Sequence, residues 1–116
     1  MQTLQPPGWA KPRGYSNGIA ASGRQIFVAG QVGWNADCKF VSPDFAAQTR
    51  QALLNIVAVL TEAGAKPEHI TRMTWYVTSK REYLGAAKEV GAAYRDVIGK
   101  NFPAMTAVEE IGRAHV

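Results

Sequence analysis

Between residues 42 and 64 apolar residues recur every three or four positions, the spacing that one face of an α-helix produces. Ser42 as N-cap, Pro43 at the first helical position and Gly64 just past the last apolar residue are typical helix boundaries. Asp44 places an acidic side chain in the first turn. The pattern predicts an amphipathic helix with one buried face. The residues that recur on this face are Phe45, Thr49, Leu53, Ile56 and Leu60.

A different period follows the Lys66-Pro67 break, where "ITRMTWYVT" alternates with a period of two. This alternation predicts a strand with two chemically distinct faces. One face carries Thr71, Met73, Trp75 and Val77, and the other carries Ile70, Arg72, Thr74 and Tyr76.

The chain after this strand predicts a second helix and a last strand. Ser79 and Glu82 have the spacing of a capping box, and Gly99 is placed to end the helix. Its apolar stripe includes Tyr83, Val90 and Tyr94. The stretch "FPAMTAVEE" then predicts a strand entered through Pro103.

The N-terminal third is less regular. Residues 1–14 hold three of the six prolines and predict an irregular arm. Residues 18–21 and 25–32 are β-like runs on either side of Ser22-Gly23, a dipeptide suited to a tight turn, and they predict a β-hairpin.

Together these elements predict an α+β domain with the order β-β-α-β-α-β. Each helix would connect strands of a single mixed sheet, and both helices would pack on one face of it. The other face would be left bare, with Met73, Trp75, Phe27 or their alternates on it. A sheet covered on one side predicts packing against other subunits.

Composition narrows the function classes. The 116 residues, 47% hydrophobic and 19% charged, fit one folded domain. The net charge of +4 comes from Lys and Arg residues spread singly, which argues against a nucleic-acid-binding stripe. Cys38 is the only cysteine, and no metal-binding motif accompanies it, so neither a metal nor another cofactor is expected. No signal peptide or membrane-length apolar run is present, and we expect a cytoplasmic protein without membrane contact.

Several stretches in order carry a family resemblance: "GYSNGI", "FVAGQV", "QTRQALLNIVAVLTEAGA", "ITRMTWYV" and "YRDVIGKNFPAMTAV". Together they resemble the RidA/YjgF family of small reactive-imine deaminases and their relatives, from about Tyr15 to Glu109. The resemblance implies a chorismate-mutase-like fold and a homotrimer, with a small-molecule ligand bound in each cleft between neighbouring subunits. In the deaminating members a water attacks an imine carbon and ammonia leaves.

The resemblance also implies the site residues. Tyr15 matches a tyrosine that lines the cleft, Gly30 a glycine whose backbone approaches the ligand, and Ala107 a small residue that presents its N–H. Met105 stands where the deaminases have an arginine that clamps the substrate carboxylate, and Gly91 stands where they have an asparagine. A thioether cannot make the two charge-assisted hydrogen bonds of such a clamp.

Simpler interpretations stay open for three of these positions. Tyr15 is also explained as a half-buried aromatic residue, Gly30 as relief of a strand bulge and Met105 as ordinary core. No residue is singled out as catalytic.

The C-terminal residues predict where the domain ends. The family's final strand, which bears a glutamate that positions the attacking water, has no counterpart here, so the last strand of the sheet is expected to be truncated. Residues 111–116, "IGRAHV", are expected to be a non-native tail that follows a single domain at residues 15–110.

Two functions compete on these grounds. One is hydrolytic deamination of small enamines or imines, in which the missing arginine puts activity in question. The other is a non-catalytic homotrimer that binds small metabolites in the same cleft, against a more apolar wall. RNA cleavage, a third candidate, rests only on the basic charge.

Overall fold

The computed structural model describes residues 1–110, and the expected non-native tail at 111–116 lies outside them. The described chain contains β1 (Gln2–Leu4), β2 (Gly18–Ala20), α1 (Phe45–Glu62), a 3₁₀ turn (Pro67–His69), β3 (Arg72–Val77), α2 (Lys80–Gly85), α3 (Ala87–Val97) and β4 (Ala104–Glu109). This is an α+β fold, as the sequence predicts.

The first helix begins two residues later than its sequence pattern indicates. Asp44 is the N-cap, because its carboxylate accepts a hydrogen bond from the Ala47 N–H at 2.9 Å. Ser42 lies outside the helix, and its hydroxyl accepts from the Asp44 N–H at 3.0 Å. Gly64, with φ of +73°, follows the last turn as predicted.

The second predicted helix is two helices. Ser79 caps α2 through the Glu82 N–H, as the capping-box spacing predicts, but the chain turns at Gly85 and Ala86 before α3 begins. Glycine loses much backbone freedom in a helix, which favours a break at this place. The Gly99 N–H bonds to the Tyr94 carbonyl, and its φ of +82° ends α3 as predicted.

The predicted N-terminal hairpin is wrong. β2 pairs antiparallel with β1, with Thr3 opposite Ile19, so residues 2–4 of the predicted irregular arm are a strand. Residues 25–32 form no strand and run alongside α1 in the opposite direction. Two hydrogen bonds hold this segment: Arg24 donates to the Ala63 carbonyl at 2.6 Å, and Asn55 donates to the Val32 carbonyl at 3.1 Å.

The strand pairing also differs from the single mixed sheet that the sequence predicts. Within residues 1–110, β1 and β2 form one two-stranded ladder, and β3 and β4 form a second, parallel ladder. A parallel bridge between Ser16 and Ala104 connects the N-terminal region to β4. The predicted strand at residues 25–32 supplies no ladder, because its backbone lies against α1 instead.

Helices α1 and α3 pack on each other and on one face of the β3–β4 ladder. The buried cluster consists of Leu53, Met73, Tyr94 and Ile98. Tyr94 stacks on Phe102, with ring centroids 5.9 Å apart and planes at 12°, and its hydroxyl donates to the Asn101 carbonyl. These contacts attach the connection between α3 and β4 to the core, and thereby position the start of β4.

Met73 and Trp75 therefore face the helices, contrary to the possibility that they lie on a bare sheet face. The alternate residues Arg72, Thr74 and Tyr76 are exposed. The side of the β3–β4 ladder that carries them is called the open face below.

Candidate functional site

Met105 lies on the side of β4 that the helices cover. It is in register with Met73 in the parallel ladder, so both side chains project to the same side. Met105 is half-buried and packs against the buried cluster. Its contacts agree with the core interpretation.

Ala107 lies on the same side of β4 as Met105, two residues further along, and is in register with Trp75. Ala107 is nevertheless exposed, because β4 is an edge strand and this part of it is left uncovered within one chain. The surface beside Met105 is thus open to a ligand or to another subunit.

Tyr15 is brought to the start of the same strand. Its neighbour Ser16 donates its backbone N–H to the Pro103 carbonyl at 3.0 Å and its hydroxyl to the Phe102 carbonyl. Ser16 is buried, whereas the Tyr15 side chain is 42% exposed. Tyr15 therefore lies next to β4 with its ring accessible.

Gly30 is not joined to the other three predicted positions by any hydrogen bond among residues 1–110. It is exposed and lies in the segment that runs along α1. Because this segment is not a strand, the bulge interpretation of Gly30 is not supported. Gly91 lies in α3, where an added Cβ would meet Arg95 Nη1 at 3.4 Å.

Sequence reasoning missed Glu109. Strand alternation places it on the same side of β4 as Met105 and Ala107, and that alternation is the signal that could have identified it. Glu109 Oε2 accepts a hydrogen bond from the Lys80 N–H at 2.7 Å, at the start of α2. A carboxylate near the first turn of a helix is favoured by the free N–H groups there.

The charge on this side of β4 is therefore negative. Glu109 is the one ionisable residue in the strand, and Arg72, in the neighbouring strand, lies on the open face. A ligand carboxylate beside Met105 would meet no cation from β4, and Glu109, four residues further along the strand and thus about 13 Å away, would repel it only weakly. The surface suits an uncharged small molecule better than a carboxylate.

Buried groups near the site are neutral. Burial raises the pKa of Tyr94 to about 12, so this phenol stays protonated at neutral pH and donates to the Asn101 carbonyl. Within residues 1–110, no group of three or more His, Cys, Asp or Glu side chains is arranged to hold a metal ion. In the same range no helix has the length and apolar character needed to cross a membrane.

Neither of the two best-defined surface cavities among residues 1–110 is lined by any of the four predicted residues. The more enclosed of these two cavities has a volume of about 240 Å³ and lies between the N-terminal ladder and the α3–β4 connection. Met105, Ala107, Tyr15 and Gly30 do not line it. These two cavities therefore do not form the predicted cleft at β4.

Comparison with known proteins agrees with the family resemblance seen in the sequence. The model of the family described as Endoribonuclease L-PSP matches residues 9–111. A RutC family protein of Aquifex aeolicus is 32% identical over 97 residues, which are 83% of this chain and 74% of that protein. A 2-iminobutanoate/2-iminopropanoate deaminase of Escherichia coli is 32% identical over 90 residues, 75% of this chain and 67% of that protein.

A solved structure is similar along nearly the whole chain. The crystal structure of YyfB from Yersinia pestis, described as a protein of unknown function of the conserved Rid protein family, superposes with a TM-score of 0.80 at 32% identity. The match covers 98% of this chain and 88% of that protein. The α+β fold expected from the sequence resemblance is confirmed.

Proposed function

The chain belongs to the Endoribonuclease L-PSP family, which includes the RidA/YjgF proteins, and on that premise we propose that it binds small uncharged metabolites in a cleft between subunits of a homotrimer. The cleft in this proposal is built on the exposed part of β4 beside Met105 and Ala107. Tyr15 contributes an aromatic wall, and the backbone of Gly30 comes from a neighbouring subunit.

The position of Met105 carries the proposal. Its side chain packs against Met73 and the buried cluster, and the nearest ionisable group on its side of β4 is the carboxylate of Glu109. An apolar wall in a strand that offers no cation favours ligands that lack a negative charge. The same reasoning disfavours RNA, because phosphate is also an anion.

The open face supports assembly. Tyr76 is 69% exposed and lies in register with Val108, which is also exposed. Thr74 and Thr106 lie beside them on the same face. An exposed sheet surface that carries an aromatic and an apolar residue side by side is suited to burial against another subunit.

A second candidate is hydrolytic deamination of small enamines or imines. It is favoured by the relative named as a 2-iminobutanoate/2-iminopropanoate deaminase. In this reaction a water would add to the imine carbon and ammonia would leave, with a proton supplied to the nitrogen. Met105 and Gly91 each remove a polar group that the resemblance assigns to the deaminases, so this activity is the less supported one.

Ligand charge separates the two functions. We would titrate the protein with 2-oxobutanoate and with its uncharged methyl ester by calorimetry, and follow ammonia release from freshly generated 2-iminobutanoate in parallel. For the unchanged protein we expect the ester to bind more tightly than the acid, and ammonia release to match the uncatalysed rate.

Two variants at one position complete the experiment. Met105→Arg adds a cation to this surface and should reverse the preference, with the acid bound roughly tenfold more tightly for each 1.4 kcal/mol gained. Met105→Leu keeps the apolar volume and should keep the preference for the ester. If the unchanged protein prefers the acid and hydrolyses the imine, the deaminase function replaces the one proposed here.

A further inference from the structure

A second surface with binding chemistry lies away from the proposed cleft. The cavity of about 240 Å³ between the β1–β2 ladder and the α3–β4 connection has apolar and charged sides. Its volume is below the roughly 300 Å³ at which drug-sized ligand pockets begin, so it fits a metabolite of amino-acid size. Its apolar lining comes from Ile19, Ile70, Phe102 and Pro103.

Two opposite charges line this cavity. Lys100 and Glu68 are both exposed at it, and they do not form an ion pair with each other. The ion pair found among residues 1–110 joins other residues, Arg50 and Asp96. A cation and an anion that face one cavity without neutralising each other can each bind the opposite charge of a ligand.

The backbone adds donors at the Lys100 end. Among residues 1–110, no hydrogen-bond acceptor is found for the N–H groups of Lys100, Asn101 and Phe102. Gly99, with φ of +82°, turns the chain immediately before them. Successive free N–H groups next to a lysine favour an anion such as a carboxylate.

A hydroxyl adds an acceptor to the same cavity. Ser16 donates its hydroxyl proton to the Phe102 carbonyl, so the oxygen lone pairs remain available to accept. A ligand ammonium bound by the Glu68 carboxylate would also find this oxygen. The cavity thus combines a carboxylate-binding end, an ammonium-binding group and an apolar wall.

We infer that this cavity binds a free α-amino acid with a small aliphatic side chain. The carboxylate of the amino acid contacts Lys100, its ammonium contacts Glu68, and its side chain packs on Ile70 and Phe102. Both charged groups are exposed to water, so the contacts are weak and the dissociation constant lies in the millimolar range. The site is separate from the β4 surface at Met105.

The experiment compares L-valine with two probes, each of which lacks one of its two charged groups. L-valine carries both charges, 3-methylbutanoate lacks the ammonium, and isobutylamine lacks the carboxylate. Each is titrated into the full chain, prepared without an N-terminal tag because Met1 also lines the cavity. Amide NMR shifts of residues 100–102 report binding at this place, and we expect L-valine to bind most tightly.

Charge-removing variants assign each contact. Lys100→Met should weaken L-valine and 3-methylbutanoate roughly three- to tenfold and leave isobutylamine unchanged. Glu68→Gln should weaken L-valine and isobutylamine and leave 3-methylbutanoate unchanged. Lys88→Met and Glu89→Gln, in the first turn of α3 and outside the cavity, are the matched controls and should change nothing.

Three results would overturn the inference. The first is the absence of a saturable amide shift at residues 100–102 by about 50 mM L-valine, a concentration well above the expected millimolar dissociation constant. The second is equal binding of the three probes irrespective of Lys100 and Glu68, which would mean apolar filling alone. The third is a shift confined to residues near Met105 and Ala107, which would place the ligand in the proposed cleft instead.

Discussion

Met105 of β4 lies directly beside Met73 of β3 in the parallel ladder, and both side chains face the helices. Met73 belongs to the buried cluster, and Met105 extends that cluster toward the exposed end of the strand. The position that the sequence resemblance assigns to a carboxylate clamp is therefore occupied by a packed apolar side chain.

Met105→Arg should lower the free energy of unfolding by about 2 kcal/mol, because a guanidinium replaces apolar contacts with Met73. The cost is limited because Met105 is only half-buried, so the long arginine side chain can extend to solvent. Urea denaturation followed by circular dichroism measures this loss in the free energy of unfolding. Met105→Leu, which conserves apolar volume, should cost less than about 1.5 kcal/mol. Equal costs for both variants would mean that Met105 does not contribute to the core.

Periodicity predicted the elements whose partners are near in sequence. The helical pattern of α1, the alternation of β3 and the Ser79 N-cap depend on local spacing, and all three are confirmed. The pairing of the N-terminal strands depends on contacts between residues that are far apart in the sequence. Ile19 pairs with Thr3 rather than with the 25–32 segment, because Arg24 and Asn55 tie that segment to α1.

The candidate site was predictable to a similar degree. Alternation alone indicates that Met105 and Ala107 share a side of β4, and it would have added Glu109. The position of Tyr15 depends on the Ser16 hydrogen bonds to residues 102 and 103, which connect segments more than 80 positions apart and leave no periodic signal. Whether Gly30 joins the site depends on neighbouring subunits, so it stays a prediction.

Gly33→Ala should destabilise the fold by about 2 kcal/mol, a typical cost of overpacking. A Cβ at this position would lie 2.6 Å from Gln48 Cβ and 2.7 Å from Gln48 Cα, so the loop before α1 could not approach the helix. Gly85→Ala is the matched control, because a Cβ there meets nothing within 4 Å and alanine favours the helical turn. We expect the control to raise the melting temperature slightly. If Gly33→Ala left the stability unchanged, the loop would be able to move away from α1 without a loss of stability.

Tyr94 should make stability fall at high pH. Its pKa is raised to about 12 by burial, so between about pH 10 and 12 the unfolded chain loses this proton while the folded chain keeps it. The contribution of Tyr94 to the free energy of unfolding is complete below pH 10. As the pH rises through 12 this contribution is lost, and the free energy of unfolding falls by on the order of 2 to 3 kcal/mol. Urea denaturation at a series of pH values, compared with Tyr94→Phe, isolates this residue. Parallel pH profiles for the two proteins would contradict the assignment.

The open face should hold three subunits together. Sedimentation equilibrium of the unchanged protein is expected to give three times the monomer mass. Tyr76→Glu places a charge on the open face, where Tyr76 is 69% exposed in one chain, and should dissociate the assembly, because an unpaired charge in an interface is costly.

The control for this prediction is Leu84→Glu. Leu84 is also an exposed apolar residue, but it lies in α2, away from the open face, and its substitution should leave the mass unchanged. A monomeric mass for the unchanged protein would remove the inter-subunit cleft, and with it the proposed site at Met105. Because the cavity at Lys100 and Glu68 is formed within one chain, L-valine binding there should survive Tyr76→Glu even when the trimer does not.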